Sequence, residues 1–346
     1  MIAFASRLLA ALTYPRAIDD FVEIANPLHS SREVRARVVA VRPETHDTAT
    51  LVLQPNGRWR GHRAGQHVAL TVEVAGVRRT RCFSVASRES SSDGAIEITV
   101  KARPGGAVTP LLVSGALTGT IVTLSQAAGD FVLPELMPER TLLLSGGSGI
   151  TPLMSMLRTL SAAGHDDAIT FVHYARSSED VIFREELSRF AGAARNPLRV
   201  EVRTGDFVAE TFAELVPDFE DHDAWVCGPP PFIAAVTAAF AARDAAARVR
   251  VERFSLEPAA DVPTDAEVRF ARSGRRARGA GSLLAIAEAS GLNPPSGCRL
   301  GICRTCTCRK LSGTTRDLRT GALSSDADVD IQLCVSAPVS GVAIDL

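Results

Sequence analysis

The chain carries almost no net charge: 38 Lys and Arg face 39 Asp and Glu across 346 residues, a balance of −1. That removes the electrostatic footprint of a nucleic-acid-binding protein. No apolar run approaches the roughly 18 residues that cross a bilayer. The N-terminal MIAFASRLLAALTYP is apolar, but Arg7 interrupts it. No charged segment precedes it and no convincing cleavage site follows, so it does not read as a signal peptide. Ile2, Phe4, Leu8, Leu9 and Leu12 would share one face of a short helix. Such a helix is expected to pack on the first domain. A basic polar face is missing, so peripheral attachment to a membrane is the lesser alternative. No internal repeat is present. A disulfide framework is missing as well: the seven cysteines are odd in number, and four of them crowd into residues 298–308. In a chain of this length that pattern reads as a reduced, cytoplasmic protein with a metal site.

What is present falls into blocks, as expected for a chain too long for one ordinary core. Residues 34–137 alternate short β-type runs with turns (VRARVVAVRPE, TATLVLQPNG, QHVALTVEVAG, RRTRCFSVAS, AIEITVKARPGG, GTIVTLSQAAGDFVLP). Strands at this spacing, broken by Gly and Pro, predict a small antiparallel barrel. Over 138–256 the texture becomes strand, helix, strand, helix: TLLLSGG, TPLMSMLRTLSAAG, AITFVHYA, VIFREELSRF, LRVEVRTG, AETFAELV, DAWVCGPP, FIAAVTAAFAARDAAA, RVRVERFS. This alternation predicts a parallel α/β sheet. Residues 257–265 read as a Pro- and Asp-containing linker, and 266–346 as a third unit with a hairpin, a helix, a cysteine loop and a closing strand. Residues 1–33 form an N-terminal, helical extension.

Three segments carry chemistry. In LLLSGGSGITPLMSML, Gly146, Gly147 and Gly149 lie between a buried strand and a helix that starts near Thr151. Glycines there let backbone approach a pyrophosphate, and free N–H groups at the helix start attract its charge. The spacing departs from G-x-G-x-x-G, and a tight strand–helix connection is the plain alternative. VCGPPPF places Cys227 and Gly228 at the carboxyl edge of the fourth parallel strand, where such sheets bind ligands. In RCFSVAS, Arg81 can pair a phosphate, Phe83 can lie against a flavin, and the Ser84 hydroxyl can reach ring N5. An ordinary strand with an exposed Arg is the alternative. A second turn, Gly105–Gly106 before Thr109, could hold the flavin's phosphates. The most specific signal is Cys298, Cys303 and Cys306 spaced C-x₄-C-x₂-C with a distant Cys334. That is the plant-type [2Fe–2S] pattern, with four-cysteine zinc as the structural alternative. Gly297 and Gly301 let the loop curl and turn N–H groups toward sulfur, and Cys308 has no place in the ligand set.

Together these segments resemble the ferredoxin–NADP reductase superfamily, and within it the oxygenase and desaturase reductases. Their order is flavin domain, nicotinamide domain, C-terminal ferredoxin domain. The resemblance implies an antiparallel β-barrel, a parallel α/β domain and an α+β, β-grasp-like [2Fe–2S] domain. The family's R-x-Y-S motif falls on Arg81, Cys82, Phe83 and Ser84, with Phe in place of Tyr: stacking survives and the phenol hydrogen bond does not. The resemblance puts Ser84 at flavin N5, Cys227 beside the nicotinamide, Glu252 in the same catalytic cluster and Phe254 near the isoalloxazine. It implies an oxidoreductase passing electrons from NAD(P)H through a flavin and [2Fe–2S] to a terminal oxygenase, fatty-acyl desaturase or cytochrome P450. A redox-sensing regulator without turnover and a simple diaphorase are the rivals. FAD is favoured over FMN. NADPH is favoured over NADH, because Arg176 and Ser177 end the second parallel strand where an acid would grip the ribose of NAD.

Overall fold

In a computed structural model, the structure describes residues 18–90, 94–165, 168–192, 198–254, 266–301 and 304–346. The apolar stretch of residues 2–12, the linker and Cys303 lie outside them. The described residues fall into two compact units, one ending at Glu252 and the other holding 253–346 together with Arg79–Arg81. Among the described residues, no helix is long and apolar enough to cross a membrane.

The first unit opens with a short helix, α1 (Ile18–Ala25), followed by six strands: β1 (Val34–Thr45), β2 (Thr48–Pro55), β3 (His67–Val74), β4 (Val77–Ser84), β5 (Ile96–Lys101) and β6 (Ile121–Leu124). They are ordered β4-β3-β6-β1-β2-β5, with antiparallel pairing of β1 to β2 and β6, β3 to β6, and β2 to β5. A bridge between Val85, just past β4, and Ile98 of β5 joins the two ends of the order into a barrel. Burial alternates along β3, and the inward Val68, Leu70 and Val72 meet Val38, Leu51, Leu53 and Ile98 in one apolar core. The helix α2 (Thr109–Val113) packs against β2 and β5.

The same unit continues into five parallel strands: β7 (Arg140–Gly146), β8 (Ala168–Ala175), β9 (Leu198–Thr204), β10 (Asp223–Cys227) and β11 (Val249–Glu252). Their order is β11-β10-β7-β8-β9. Helices α3 (Ile150–Ala163), α4 (Arg184–Gly192), α5 (Ala209–Leu215) and α6 (Pro230–Ala241) cover the sheet. Leu143, Phe171 and Trp225 bury against Leu153 and Leu157 of α3, whereas Leu144, Val172 and Val226 bury against Ile233 and Val236 of α6. The order in which strands are added therefore reverses between the parallel neighbours β7 and β10, and the loops leaving them diverge to open a crevice at the carboxyl edge. Gly164 at φ 66° ends α3 in the left-handed conformation, its N–H bonded to the Leu160 and Ser161 carbonyls.

The second unit contains β12 (Ala266–Phe270), β13 (Arg276–Gly279), helix α7 (Leu283–Ala289), β14 (Thr307–Ser312), β15 (Thr315–Asp317), β16 (Leu323–Ser324), β17 (Val329–Gln332), β18 (Ser336–Pro338) and β19 (Val342–Ile344). The main sheet runs β13-β12-β19-β14-β17, with β12 and β19 parallel and the other pairs antiparallel. Leu283, Leu284 and Ile286 of α7 close its core over Val268, Phe270 and Ile344. Ser282 caps α7 by accepting the Ala285 N–H at 3.2 Å. Lys310 is wholly buried on β14; its ammonium donates to the Ser324 carbonyl at 2.7 Å and hydroxyl at 3.2 Å, offsetting its desolvation.

Two elements differ from the sequence expectation. The last parallel strand stops at Glu252, so Phe254 lies in the bend that follows, 37% exposed. The helix predicted to run through Ala247 ends at Ala241, because Asp244 adopts φ 57° and the chain turns.

Candidate functional site

At the crevice, register aligns one row across the sheet: Glu252 opposite Cys227, Cys227 opposite Ser145, and Ser145 opposite His173. Paired residues of parallel strands point to the same face, so the carboxyl, thiol, hydroxyl and imidazole line one side of the edge. Cys227 is fully buried, and burial together with the nearby Glu252 pushes its thiol well up, keeping it protonated. Glu252 is raised to about 7 by burial and by the neighbouring Asp130 carboxylate. Ser145 and the buried His173 are bonded through Oγ and Nδ1 at 2.8 Å, and burial lowers the imidazole to about 4, so it is neutral.

The glycines of this edge divide into two kinds. A Cβ on Gly149 would lie 2.2 Å from the Cys227 carbonyl oxygen, and one on Gly228 would lie 2.6 Å from the Phe232 ring and 3.1 Å from the Gly146 nitrogen. These residues are glycine so that two strand ends and a helix start can touch around Cys227. Gly147, at φ 53° with nothing within 4 Å, is the open one. The turn Gly147–Gly149 and the start of α3 carry no side-chain cap, so their N–H groups remain available to an anion. This edge fits a coenzyme diphosphate. Thr151 is buried and donates its hydroxyl to the Ser148 carbonyl at 3.1 Å, shaping the turn.

On the barrel, Ser84 ends β4 and is 5% exposed, while Phe83 beside it packs on the barrel core. Arg81 Nη1 donates to the Thr80 carbonyl at 2.7 Å. Gly105 takes φ 70°, and the Thr109 hydroxyl accepts the Arg103 N–H at 2.9 Å, closing the turn before α2, whose start also lacks a side-chain cap. The turn fits a phosphate.

In the second unit, Cys298, Cys306 and Cys334 are buried and interact through their sulfurs. The Cys334 thiol bonds to the Cys306 sulfur, drawing Cys306 down to about 6 and pushing Cys334 up. The Leu300 N–H points to Cys298 Sγ at 3.4 Å and the Gly301 N–H to Cys334. Gly301 takes φ 76° and accepts a bond from Arg319 at 3.3 Å, a guanidinium held by both oxygens of Asp317. Soft sulfur donors ringed by backbone N–H groups fit an iron–sulfur cluster. Cys308 is half-buried on β14 with its thiol 3.5 Å from the Asp345 carbonyl, apart from this group.

The structure thus brings together Cys227, Glu252, Gly146, Gly149 and Gly228, and separately Cys298, Cys306 and Cys334. Asp130, Ser145 and His173 escaped the sequence reading. A lone Ser and a lone His in otherwise apolar strands were an available signal; Asp130, in a loop, offered none.

The electrostatics of Glu252 fix one expected result. Its folded pKa lies above the unfolded value, so the folded state holds the proton more tightly and stability falls as pH rises from about 4.5 to about 7. Glu252→Gln is uncharged throughout. Its Tm advantage over the native protein should grow by a few degrees from pH 5 to pH 7.5 and then level off. A difference that stays flat over this range contradicts the buried acid.

Comparison with known proteins agrees with this layout. Residues 35–132 match the oxidoreductase FAD-binding domain, 143–238 the oxidoreductase NAD-binding domain and 272–339 the 2Fe-2S iron-sulfur cluster binding domain. An NADPH oxidoreductase of Mycobacterium tuberculosis is 37% identical, over 98% of this chain and 91% of that protein. A stachydrine N-demethylase reductase subunit of Rhizobium meliloti is 31% identical over 88% of this chain and 94% of its own length. Among solved structures, phthalate dioxygenase reductase covers 91% of this chain and 98% of its own at a TM-score of 0.61 and 24% identity, a likeness of fold. A three-domain arrangement with FAD, NAD(P)H and [2Fe–2S] cofactors follows, and the chain belongs to the ferredoxin–NADP reductase superfamily, among its reductases with a C-terminal plant-type [2Fe–2S] domain.

Proposed function

We propose that the protein draws electrons from NADPH and delivers them one at a time, through a cluster held by Cys298, Cys303, Cys306 and Cys334, to a terminal oxygenase. The observation that carries the reading is the gathering of three buried sulfurs under backbone N–H groups in a chain that also has flavin and coenzyme domains. Flavin chemistry accepts an electron pair and releases it singly, the step that joins a nicotinamide to a one-electron cluster. Around it, the chain's residues position and exclude. The uncapped turn Gly147–Gly149 binds the coenzyme diphosphate, and Cys227 supports the nicotinamide ring with its neutral thiol. Glu252 holds or gives up a proton near neutrality, and Ser84 presents its hydroxyl to flavin N5. Arg81, Gly105, Gly106 and Thr109 hold the flavin's phosphates, Phe83 lies along it, and Phe254 covers the ring. The oxygenase follows the relatives that are reductase subunits of N-demethylase and glycine betaine monooxygenase systems; a desaturase or a P450 would be a narrower case. We place the protein in the cytoplasm. Anaerobic titration with NADPH tests the reading: flavin bleaching must be followed by the electron paramagnetic resonance signal of a reduced [2Fe–2S] cluster. Bleaching without that signal defeats it, and a regulator without turnover would oxidise no NADPH in the steady state with ferricyanide.

Coenzyme choice follows from the end of β8. Two acids follow this end, Glu179 and Asp180. Asp180 accepts from Ser177 Oγ at 3.0 Å, and its Oδ1 lies 3.8 Å from Lys101 Nζ and 3.7 Å from Arg176 Nη2. Arg176, its side chain 75% exposed, is held among the described residues only by this long ion pair and is the cation that would turn to a 2′-phosphate, with Ser177 beside it. Losing one charged contact costs about 1.5–3 kcal/mol, so Arg176→Ala should reduce kcat/KM for NADPH about 10–100-fold while sparing NADH. An equal fall for both coenzymes removes Arg176 from that role.

A further inference from the structure

Helix α3 starts at the coenzyme turn, and one face of it grips the barrel segment that follows Ser84. Ser155 Oγ donates to the Ser87 carbonyl at 2.6 Å. One turn on, Arg158 Nη1 donates to the Ala86 carbonyl at 2.7 Å and to Glu97 Oε2 on β5 at 2.9 Å. Thr159 Oγ1 accepts the Glu89 N–H at 3.1 Å. The remaining prongs of Arg158, Nε and Nη2, meet both oxygens of Glu186 on α4 at 2.8 and 2.6 Å. Its side chain is 13% exposed and lies 4.9 Å over the Phe183 ring. Phe183 itself holds φ 59°, and its N–H reaches Glu44 Oε2 on β1 at 3.3 Å. A single guanidinium therefore ties the residue two positions beyond Ser84, a barrel strand and two helices of the coenzyme domain.

A surface ion pair adds little to stability, and a planar, multidentate, shielded guanidinium is a different object: it fixes direction as well as distance. What it holds together, Ala86, Glu97 and Glu186, belongs to or borders the elements that carry the two ends of the proposed hydride path. The coenzyme turn, Gly147–Gly149, leads directly into α3, and Ser84 is the last residue of β4. Any slack at Arg158 becomes slack between them.

We propose that Arg158 is a positioning residue for hydride transfer, setting the approach of the coenzyme edge to the flavin face at Ser84. The proposal rests on the assignment of Ser84 to the flavin given above. Removing one clamp from such a path raises the barrier without weakening coenzyme binding, since misplacement of about 1 Å costs about a hundredfold in rate.

The experiment is single-turnover reduction of the bound flavin by NADPH, in the full chain loaded with FAD, using coenzyme with hydrogen or deuterium at the transferred position. Arg158→Gln should reduce flavin about 10–100-fold more slowly per bound flavin. Its isotope effect should become more temperature-dependent, and its coenzyme dissociation constant should stay within about twofold. Arg158→Lys, which keeps the charge and loses the fork, should recover only part of the rate. Reoxidation of dithionite-reduced flavin by ferricyanide should be unchanged. A flavin-loaded Arg158→Gln that reduces at the native rate and isotope effect, even with a lower Tm, overturns the proposal and leaves a brace between domains. If that variant does not retain flavin, Ser155→Ala and Glu97→Gln decide, because each removes one strand of the grip: native rates in both overturn it, and graded losses support it. Ser84→Ala separates the two readings, since native flavin reduction in that variant removes Ser84 from the flavin and leaves the Arg158 result standing on its own.

Discussion

Cys298→Ser should leave a protein that still takes electrons from NADPH and passes them to ferricyanide, yet delivers none to its protein acceptor. The substitution puts a hydroxyl, a poor ligand for a soft site, among sulfurs that pack with Cys306 and Cys334. The cluster should be lost or labile. The barrel and the parallel sheet bury their own cores in the other compact unit and should fold unaffected. Cys308→Ser supplies the contrast, because that thiol lies on β14 against the Asp345 carbonyl and takes no part in the sulfur group. It should keep its iron, its visible spectrum and both activities. Iron analysis with the two assays on both variants decides the matter. Zinc in the native protein, or full acceptor reduction by Cys298→Ser, would reverse the assignment.

Gly149→Ala is expected to do comparable harm at the other end of the path. The added methyl meets the Cys227 carbonyl oxygen at 2.2 Å, its carbon at 2.4 Å and the Gly228 nitrogen at 2.6 Å. All three are backbone atoms, so no rotamer change relieves the overlap. Overpacking of this kind costs about 1–3 kcal/mol and sometimes more, and the displacement falls on Cys227 and the start of α3. Reduction of flavin by NADPH should drop steeply, while dithionite-reduced protein should still feed the acceptor. Gly147→Ala, with open space around it, should cost only about 1–2 kcal/mol of left-handed strain. Thermal melts and stopped-flow reduction of both variants test this; Gly149→Ala with native stability and a native reduction rate would remove the packing argument.

The two variants also show what a reader of the sequence could and could not see. The period of the apolar residues located the barrel strands and the strand–helix alternation, because those signals are local. The cysteine spacing located the sulfur loop for the same reason. The glycines were visible as a motif, but their division into close-packing and open positions depends on β7 meeting β10, residues some eighty apart. Likewise Arg158 finds Glu97 and Glu186 at separations of 61 and 28 residues. Nothing in RTLSAAG distinguishes it from an exposed helical arginine. Asp130 reaches Glu252 only through the fold, which is why the raised acid had no signature in VERFS. Phe254, read as a strand residue, lies beyond the strand because pairing with β10 ends at Glu252.

The burial of Lys310 has a practical consequence for capturing the acceptor. The chain contains only two lysines, and the other, Lys101, sits 3.2 Å from Asp47 with a side chain 27% exposed. All other side-chain cations except histidine are guanidiniums, which amine-directed reagents do not touch. Succinimide-type cross-linkers should therefore find one hindered ammonium among the described residues, remote from the sulfur loop in sequence and housed in the other unit. Coupling aimed at carboxylates, or a cysteine introduced beside Arg304, offers a handle on the face that carries the loop. Digestion with a lysine-specific protease should likewise leave the native chain nearly whole, while an arginine-specific one should cut it into many pieces.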